Sequence, residues 1–192
     1  MRKIILASAS KPRQRLLRQI GLKFKIFRSG VREANSLGKK RCEDMVIANA
    51  VKKAKDAGGH FSSGVVIAAD TVVLVGRKII GKPRNMKGAV SALRLLSKSP
   101  QWVYTGIAVF DIDNGKLLTD FEKTKVYMYP LSERQIKRYF KKISPFDKAG
   151  SFDVQGPGSV FIDRIEGCFY NVVGLPLAKL GKLLEKTGIA IL

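Results

Sequence analysis

Apolar residues in this chain recur with two different periods, and the switches between them outline the elements. From Val65 to Val75 they are nearly continuous, VVIAADTVVLV, broken by Asp70 and Thr71. A run without polar alternation predicts a strand covered on both faces. Gly76-Arg77-Lys78 then reads as a turn, Ile79 and Ile80 as a short return strand, and Gly81-Lys82-Pro83 as a break. Upstream, Lys3 to Ala7 predicts a short strand. Ser8 to Pro12 leads into a helix with Ser10 as N-cap, Leu16, Leu17 and Ile20 as its buried stripe, and Gly21 as its stop. Leu22, Phe24 and Ile26 alternate with Lys23 and Lys25, the pattern of a strand with one wet face. A polar loop, Ser29 to Lys40, carries Glu33. A helix over 43–57 follows, with Val46, Ala50, Lys53 and Ala57 on one side and Lys52 and Lys55 pointing well away.

Beyond the central run, Asn85 or Lys87 opens a helix with Ala89, Leu93 and Leu96 inward. A hairpin then joins Val103–Ile112 to Lys116–Tyr127 through Asp113-Asn114-Gly115. Ser132 to Gln135 form a capping box for a helix with Ile136, Tyr139, Phe140 and Ile143 on its apolar face. Val160–Ile162 and Phe169–Val173 are expected to pair as strands around Glu166-Gly167. Pro176 begins a last helix that Gly188 ends. Hairpins interrupt the strand–helix alternation, which predicts an α/β fold with a mixed sheet and flanking helices. At 192 residues the chain suits one domain over 1–192, or two lobes tightly joined around a cleft.

Composition adds a strong charge. Thirty-six Lys and Arg against 15 Asp and Glu give a net +21, a surface that attracts polyanions, whether nucleic acid or nucleotide. The basic residues lie all along the chain, so a lysine-rich background explains them as well as a dedicated nucleic-acid surface does, and no aromatic residues are interleaved with them in a recognisable RNA-binding motif. Cys42 and Cys168 fit no metal or redox spacing, which points to a reducing cytoplasm. Neither a signal-peptide pattern nor an apolar run of spanning length is present, so no membrane is expected.

Chemistry enters with Asp70. An unpaired carboxylate in such a strand would cost several kcal/mol, so a partner must exist. Lys82 can return toward it along the hairpin, and Lys53 borders the apolar stripe of its helix, where a snorkelling lysine satisfies the same pattern. A core aspartate held by a structural lysine is the plain alternative. Most other acids fall on helices, hairpins or turns, leaving Glu33, Asp147 and Asp153 as loop acids. The one histidine, His60, makes a histidine-based metal site improbable, so any metal would be Mg²⁺ or Mn²⁺ held by carboxylate and water. Ser8, Ser10, Lys11 and Arg13 gather at the positive end of a helix, a place that binds phosphate or is simply well capped. The polar, glycine-rich stretch from Asp147 to Gly156 reads as a ligand-lining loop or a surface turn. One buried carboxylate with cations at Arg13, Lys53 and Lys82 suits attack of water on phosphorus. Neither a Walker motif nor a GxGxxG follows the first strand.

These residues resemble the Maf family. Leu6-Ala7-Ser8-Ala9-Ser10, Arg13, Leu16-Leu17, Lys53-Ala54, Ala69-Asp70-Thr71, Gly81-Lys82-Pro83, Asp147-Lys148-Ala149-Gly150, Gln155-Gly156 and Gly174-Leu175-Pro176 match its motifs in order along the whole chain. The resemblance implies an elongated α/β fold with a central substrate groove. It also implies hydrolysis of a nucleoside triphosphate to the monophosphate and pyrophosphate with a divalent cation. By position, Asp70 would be the proton acceptor and Ser8, Ser10, Arg13, Lys53 and Lys82 would hold phosphates. Glu33, with Asp70, would hold the metal. Pro12, Thr71 and Gln155 fall where the family's subgroups differ in base choice. Thr71 and Gln155 resemble the subgroup acting on dTTP and UTP, whereas the 7-methyl-GTP subgroup has Gln and Glu there. Ser10-Lys11-Pro12-Arg13 departs from the usual Ser-Pro-Arg-Arg or Ser-Pro-Trp-Arg, and Pro12 fits neither subgroup. A homodimer is compatible with this reading. Nucleic acid is compatible with it and not required, and the rival reading is a non-catalytic basic nucleic-acid binder, which would show salt-dependent binding and no turnover.

Overall fold

The computed structural model describes residues 2–38, 40–146 and 149–191. The chain runs β1 (Ile4–Leu6), α1 (Lys11–Gln19), β2 (Lys25–Ile26), α2 (Cys42–Gly58), β3 (Val65–Val75), β4 (Lys78–Ile80), α3 (Met86–Leu96), β5 (Gln101–Asp111), β6 (Lys116–Met128), α4 (Glu133–Phe140), β7 (Ile162–Glu166), α5 (Phe169–Val173) and α6 (Leu177–Glu185). The strands form a mixed seven-stranded sheet in the order β2-β1-β3-β5-β6-β7, with β4 on β3. The residues group into two compact units: Met1–Thr71, Thr105–Glu122 and Val173–Leu192 make the first, and Val72–Tyr104 with Lys123–Val172 the second.

In the first unit β1 lies parallel to β2 and to β3, with Ile4, Ile5 and Leu6 opposite Val65, Val66 and Ile67. Both faces of these strands are covered, which is why the β3 sequence lacks alternation. Ile4, Leu6, Val65, Ile67 and Ala69 pack with Leu16 and Leu17 of α1 and Leu180 and Leu184 of α6. Ile5, Val66 and Ala68 meet Ala50, Ala54 and Ala57 of α2 on the other side. Small residues let α2 approach closely. A Cβ at Gly106 of β5 would lie 2.4 to 2.5 Å from the backbone of Val46 and Ile47, so only glycine fits beneath the helix.

In the second unit β4 returns antiparallel along β3, with Val73 opposite Ile80, and β7 runs antiparallel to β6. Leu93 and Leu96 of α3, with Ile136 and Tyr139 of α4, bury against Val73, Val103 and Val126. The Ser132–Gln135 capping box is present, with Gln135 N–H donating to Ser132 Oγ and the Gln135 side chain accepting from Ser132 N–H.

Three expected strands differ. Phe169–Val173 is a helix, not the partner of Val160–Ile162, although its aromatic and β-branched residues favour a strand. Asn171 decides this. Its buried Nδ2 donates to Val103 O (3.0 Å) and to Thr124 Oγ1 (2.9 Å), and Cys168 N–H donates to the same hydroxyl (3.1 Å). The edge of β6 is taken instead by β7, while Val160 sits in a 3-10 turn over Pro157–Phe161. The strand foreseen over Leu22–Ile26 shortens to Lys25–Ile26, because β1 is only three residues long and pairs just Ile5 with Lys25 and Leu6 with Ile26. Among the described residues no helix is long and apolar enough to cross a membrane.

Candidate active site

Asp70 shares its face of β3 with Val66 and Ala68, the residues that α2 covers. Two α2 side chains one turn apart, Asn49 and Lys53, therefore point at it. Asn49 Nδ2 donates to Asp70 Oδ2 (2.8 Å), and Lys53 Nζ donates to Asp70 Oδ1 (2.8 Å) and to Ala69 O (3.1 Å). Asp70 is 5%, Lys53 7% and Asn49 1% exposed, so the cluster is almost dry. A charge pair in such a place persists only when its remaining donors and acceptors are met, and here Asn49 helps to meet them. The lysine that answers Asp70 thus comes from α2.

The loop before α2 is drawn in by the same side chains. Asn49 Oδ1 accepts from Ala34 N–H (2.9 Å) while its Nδ2 also donates to Ala34 O (2.9 Å). Glu33, next to that anchored residue, reaches Lys53 Nζ at 2.6 Å and keeps an exposed side chain. Lys52 and Lys55 are exposed, as the helix phase required.

Arg13 lies in the first turns of α1 and is buried, 8% exposed. Its guanidinium donates to Gly174 O (2.8 Å), Ala69 O (2.9 Å), Ser8 Oγ (3.3 Å) and Thr71 Oγ1 (2.8 Å). It ties β3, the β1–α1 loop and the turn before α6 together. Burial lowers the guanidinium from its ordinary pKa, and the charges of Asp70 and Glu33 work against that shift. Thr71 Oγ1 also meets Thr105 Oγ1 at 2.8 Å. Ser8 Oγ accepts from Ser10 N–H (3.2 Å), whereas Ser10 occupies the N-cap position of α1 without a side-chain cap. The amides opening α1 are thus not capped by Ser10, and Pro12, half-buried in the first turn, has none to give.

Lys82 and Gln155 belong to the second unit, and both are exposed. Gln155 N–H donates to Asp153 Oδ1 (3.0 Å). Asp147 and Lys148 lie outside the described residues. Glu33 and Asp70 share one ammonium, and among the described residues no group of three His, Cys, Asp or Glu is gathered as a metal site. Near this cluster burial, then the charges of Glu43 and Asp70, push the Cys42 thiol up to about 12, which makes it an unreactive core residue.

Asn49, Thr105 and Gly174 had not been singled out as site residues. For Asn49 a signal exists: it stands four residues before Lys53, on the stripe that faces the sheet. Gly174 stands in the Gly174-Leu175-Pro176 motif, which marks the position but not its carbonyl as a partner of Arg13, and Thr105 carries no local signal because a different segment brings it in.

In this α/β protein a buried carboxylate held by an ammonium and an amide thus lies next to a helix N-terminus and a buried guanidinium. The chain belongs to the Maf family, whose Maf-like protein model matches residues 3–187. It is 44% identical over 192 residues to the dTTP/UTP pyrophosphatase of Methanosarcina barkeri, covering 100% of this chain and 97% of that one. It is 42% identical to the dTTP/UTP pyrophosphatase of Pelotomaculum thermopropionicum, covering 100% of both. A solved dITP/XTP pyrophosphatase of Mycobacterium abscessus aligns with 67% of this chain and 75% of its own at a TM-score of 0.44 and 16% identity.

Proposed function

We propose that this chain is a nucleoside triphosphate pyrophosphatase that prefers dTTP and UTP, adding water across the α–β phosphoanhydride to release the monophosphate and pyrophosphate. The observation that carries the reading is the Asp70–Lys53–Asn49 cluster. A carboxylate has about four acceptor sites, so Asp70 can take a proton from water while it keeps both contacts. Lys53 fixes its orientation and supplies positive charge where phosphate charge must be neutralised. The full-length likeness to relatives named dTTP/UTP pyrophosphatase supports the base preference.

Ser8, Ser10 and the opening amides of α1 are assigned to phosphate oxygens. Arg13 acts chiefly as the strut and buried charge beneath them, because its donors are directed at Ser8, Ala69, Thr71 and Gly174. Thr71, assigned to base choice on the family pattern, also has a supporting part, since its hydroxyl holds Arg13 and Thr105. Glu33 and Asp70 offer hard oxygens, which fit Mg²⁺ or Mn²⁺ with substrate and water completing the shell. Such an ion, when bound, would supply charge neutralisation of the phosphates.

The test is Asp70→Asn with UTP and Mg²⁺, resolving monophosphate plus pyrophosphate from diphosphate plus phosphate. The amide fills the same space and cannot accept the proton, so turnover should fall at least ~10²-fold with the fold retained. Turnover within a few fold of the parent would leave Asp70 as a structural half of an ion pair.

A further inference from the structure

Along β6, Lys123, Lys125 and Tyr127 occupy the face opposite the buried Thr124 and Val126. Pairing with β7 sets Lys125 against Glu166 and Tyr127 against Arg164. From β5, Trp102 joins the same row: Lys123 Nζ and Lys125 Nζ lie 5.4 and 5.5 Å from its ring centroid. Lys125 Nζ is also 5.0 Å from the Tyr127 centroid, and Arg164 Cζ stacks on that ring at 3.6 Å. Cations and rings thus alternate across three strands in the order Lys123, Trp102, Lys125, Tyr127, Arg164. Glu166 meets the row through Tyr127 Oη (3.1 Å) and Arg164 Nε (3.2 Å), and Asp163 meets it through Arg164 Nη1 (3.0 Å). The other face of these strands holds Val103 and Val126 in the core with α3 and α4.

We propose that this face of the second unit binds single-stranded nucleic acid, as a function separate from nucleotide hydrolysis. An unpaired base offers a π-face that stacks on tryptophan or tyrosine, and the strand's phosphates take up the lysines that swing off the rings. The net charge of +21 attracts any polyanion, but charge alone does not place rings between cations. A duplex keeps its base faces stacked inside. A second copy would set one row of cations against another. The partner that matches both features is a strand with open bases.

Trp102 is the only tryptophan in the chain, so intrinsic emission reports this face directly. The intact protein is titrated with short oligouridylate, oligothymidylate and a blunt duplex, following Trp102 emission and the anisotropy of labelled oligomers over a range of salt. Both single strands should quench the emission and bind more tightly than the duplex. The tighter of the two tells whether RNA or DNA is the natural ligand. The Lys123→Gln/Lys125→Gln pair should weaken binding about tenfold or more and flatten the salt slope by roughly 1.4, the loss of two single-strand phosphate contacts. Tyr127→Leu should cost about five- to a hundredfold through lost stacking. Lys52→Gln/Lys55→Gln, removing the same charge from exposed positions on α2, should leave affinity within about twofold. Thermal unfolding checks that each variant is folded, and the lysine pair carries the test should Tyr127→Leu fail to fold. Binding without quenching, equal losses in the two lysine pairs, or a duplex bound as well as the single strands would overturn the proposal. Emission that changes with protein concentration alone would assign the face to a second copy.

Discussion

Asn49 Nδ2 donates to Asp70 Oδ2 across 2.8 Å, and the same side chain grips both backbone groups of Ala34. One buried amide therefore couples the central carboxylate to the loop that brings Glu33 to Lys53. Asn49→Ala removes both couplings at once. It should lower the kcat for UTP by about tenfold or more and cost ~1 to 3 kcal/mol of stability, the penalty of leaving buried polar groups unpaired. Urea unfolding and steady-state kinetics measure the two effects separately. A variant that loses stability but keeps its kcat would restrict Asn49 to holding the loop.

Lys53 is buried beside Asp70 while Lys52 and Lys55, on the same helix, are exposed. Removing Lys53 leaves a buried carboxylate without its counter-charge, a loss of ~3 to 5 kcal/mol for a pair broken on one side. Lys53→Ala should therefore be nearly inactive and visibly destabilised. Lys52→Ala and Lys55→Ala should stay within about 0.5 kcal/mol of the parent, and equal harm from Lys52→Ala would contradict the helix phase.

Arg13 spans Ser8, Ala69, Thr71 and Gly174 with one planar guanidinium. A lysine carries the charge but cannot reproduce the fork. Arg13→Lys should accordingly recover only part of the activity lost in Arg13→Ala, with a lowered melting temperature in both. Full rescue by lysine would mean that charge alone is needed at this position.

Remote from this cluster, Arg2 bonds Asp111 Oδ2 (2.9 Å) and Oδ1 (2.5 Å), Asp113 Oδ2 (2.6 Å) and Thr187 O (2.5 Å). The hydrogen bonds from Arg2 hold the buried Asp111 carboxyl below its ordinary value, against the opposing effect of burial. A group depressed in the folded state contributes its stability above the unfolded pKa, about 3.9. That contribution disappears as pH falls through the lower folded value. Asp111→Asn should therefore be less stable than the parent at pH 7, by ~1.5 to 3 kcal/mol, with the gap closing only below about pH 4. Denaturant melts across that range check it, and a constant gap down to pH 2 would show that packing, not charge, is responsible.

Base choice is tested by kcat/KM for UTP, dTTP, GTP and 7-methyl-GTP. We expect UTP and dTTP to lead by roughly ten- to a hundredfold, the worth of a base-edge hydrogen bond left unmade in the wrong substrate. Pro12→Arg should sharpen the preference, since proline has no side-chain donor, and Gln155→Glu should shift it. A parent that favours 7-methyl-GTP, or a ranking unmoved by either substitution, would exclude these residues from reading the base.

Much of the architecture is local and was therefore written in the chain. The nearly continuous apolar run of β3 matches its cover on both faces, the Ser132–Gln135 box caps α4 from four consecutive residues, and the phase of α2 buries Lys53 while exposing Lys52. The sequence also made Asp70 stand out, because a carboxylate in an apolar strand needs a partner. Which partner it takes depended on how closely α2 seats on the sheet, and that rests on Gly106 in a strand far along the chain. Phe169–Val173 has strand propensity and became a helix because one buried amide, Asn171, found acceptors on β5 and β6. Trp102 is more than twenty positions from Lys123 and Lys125 in sequence, so no linear motif interleaves them. Strand pairing does, since a sheet sets side by side residues that share only a register. What the sequence determined was the set of local periods and the residue that had to be paired. Tertiary structure alone decided the pairs, because each depends on a distance between segments that no local pattern encodes.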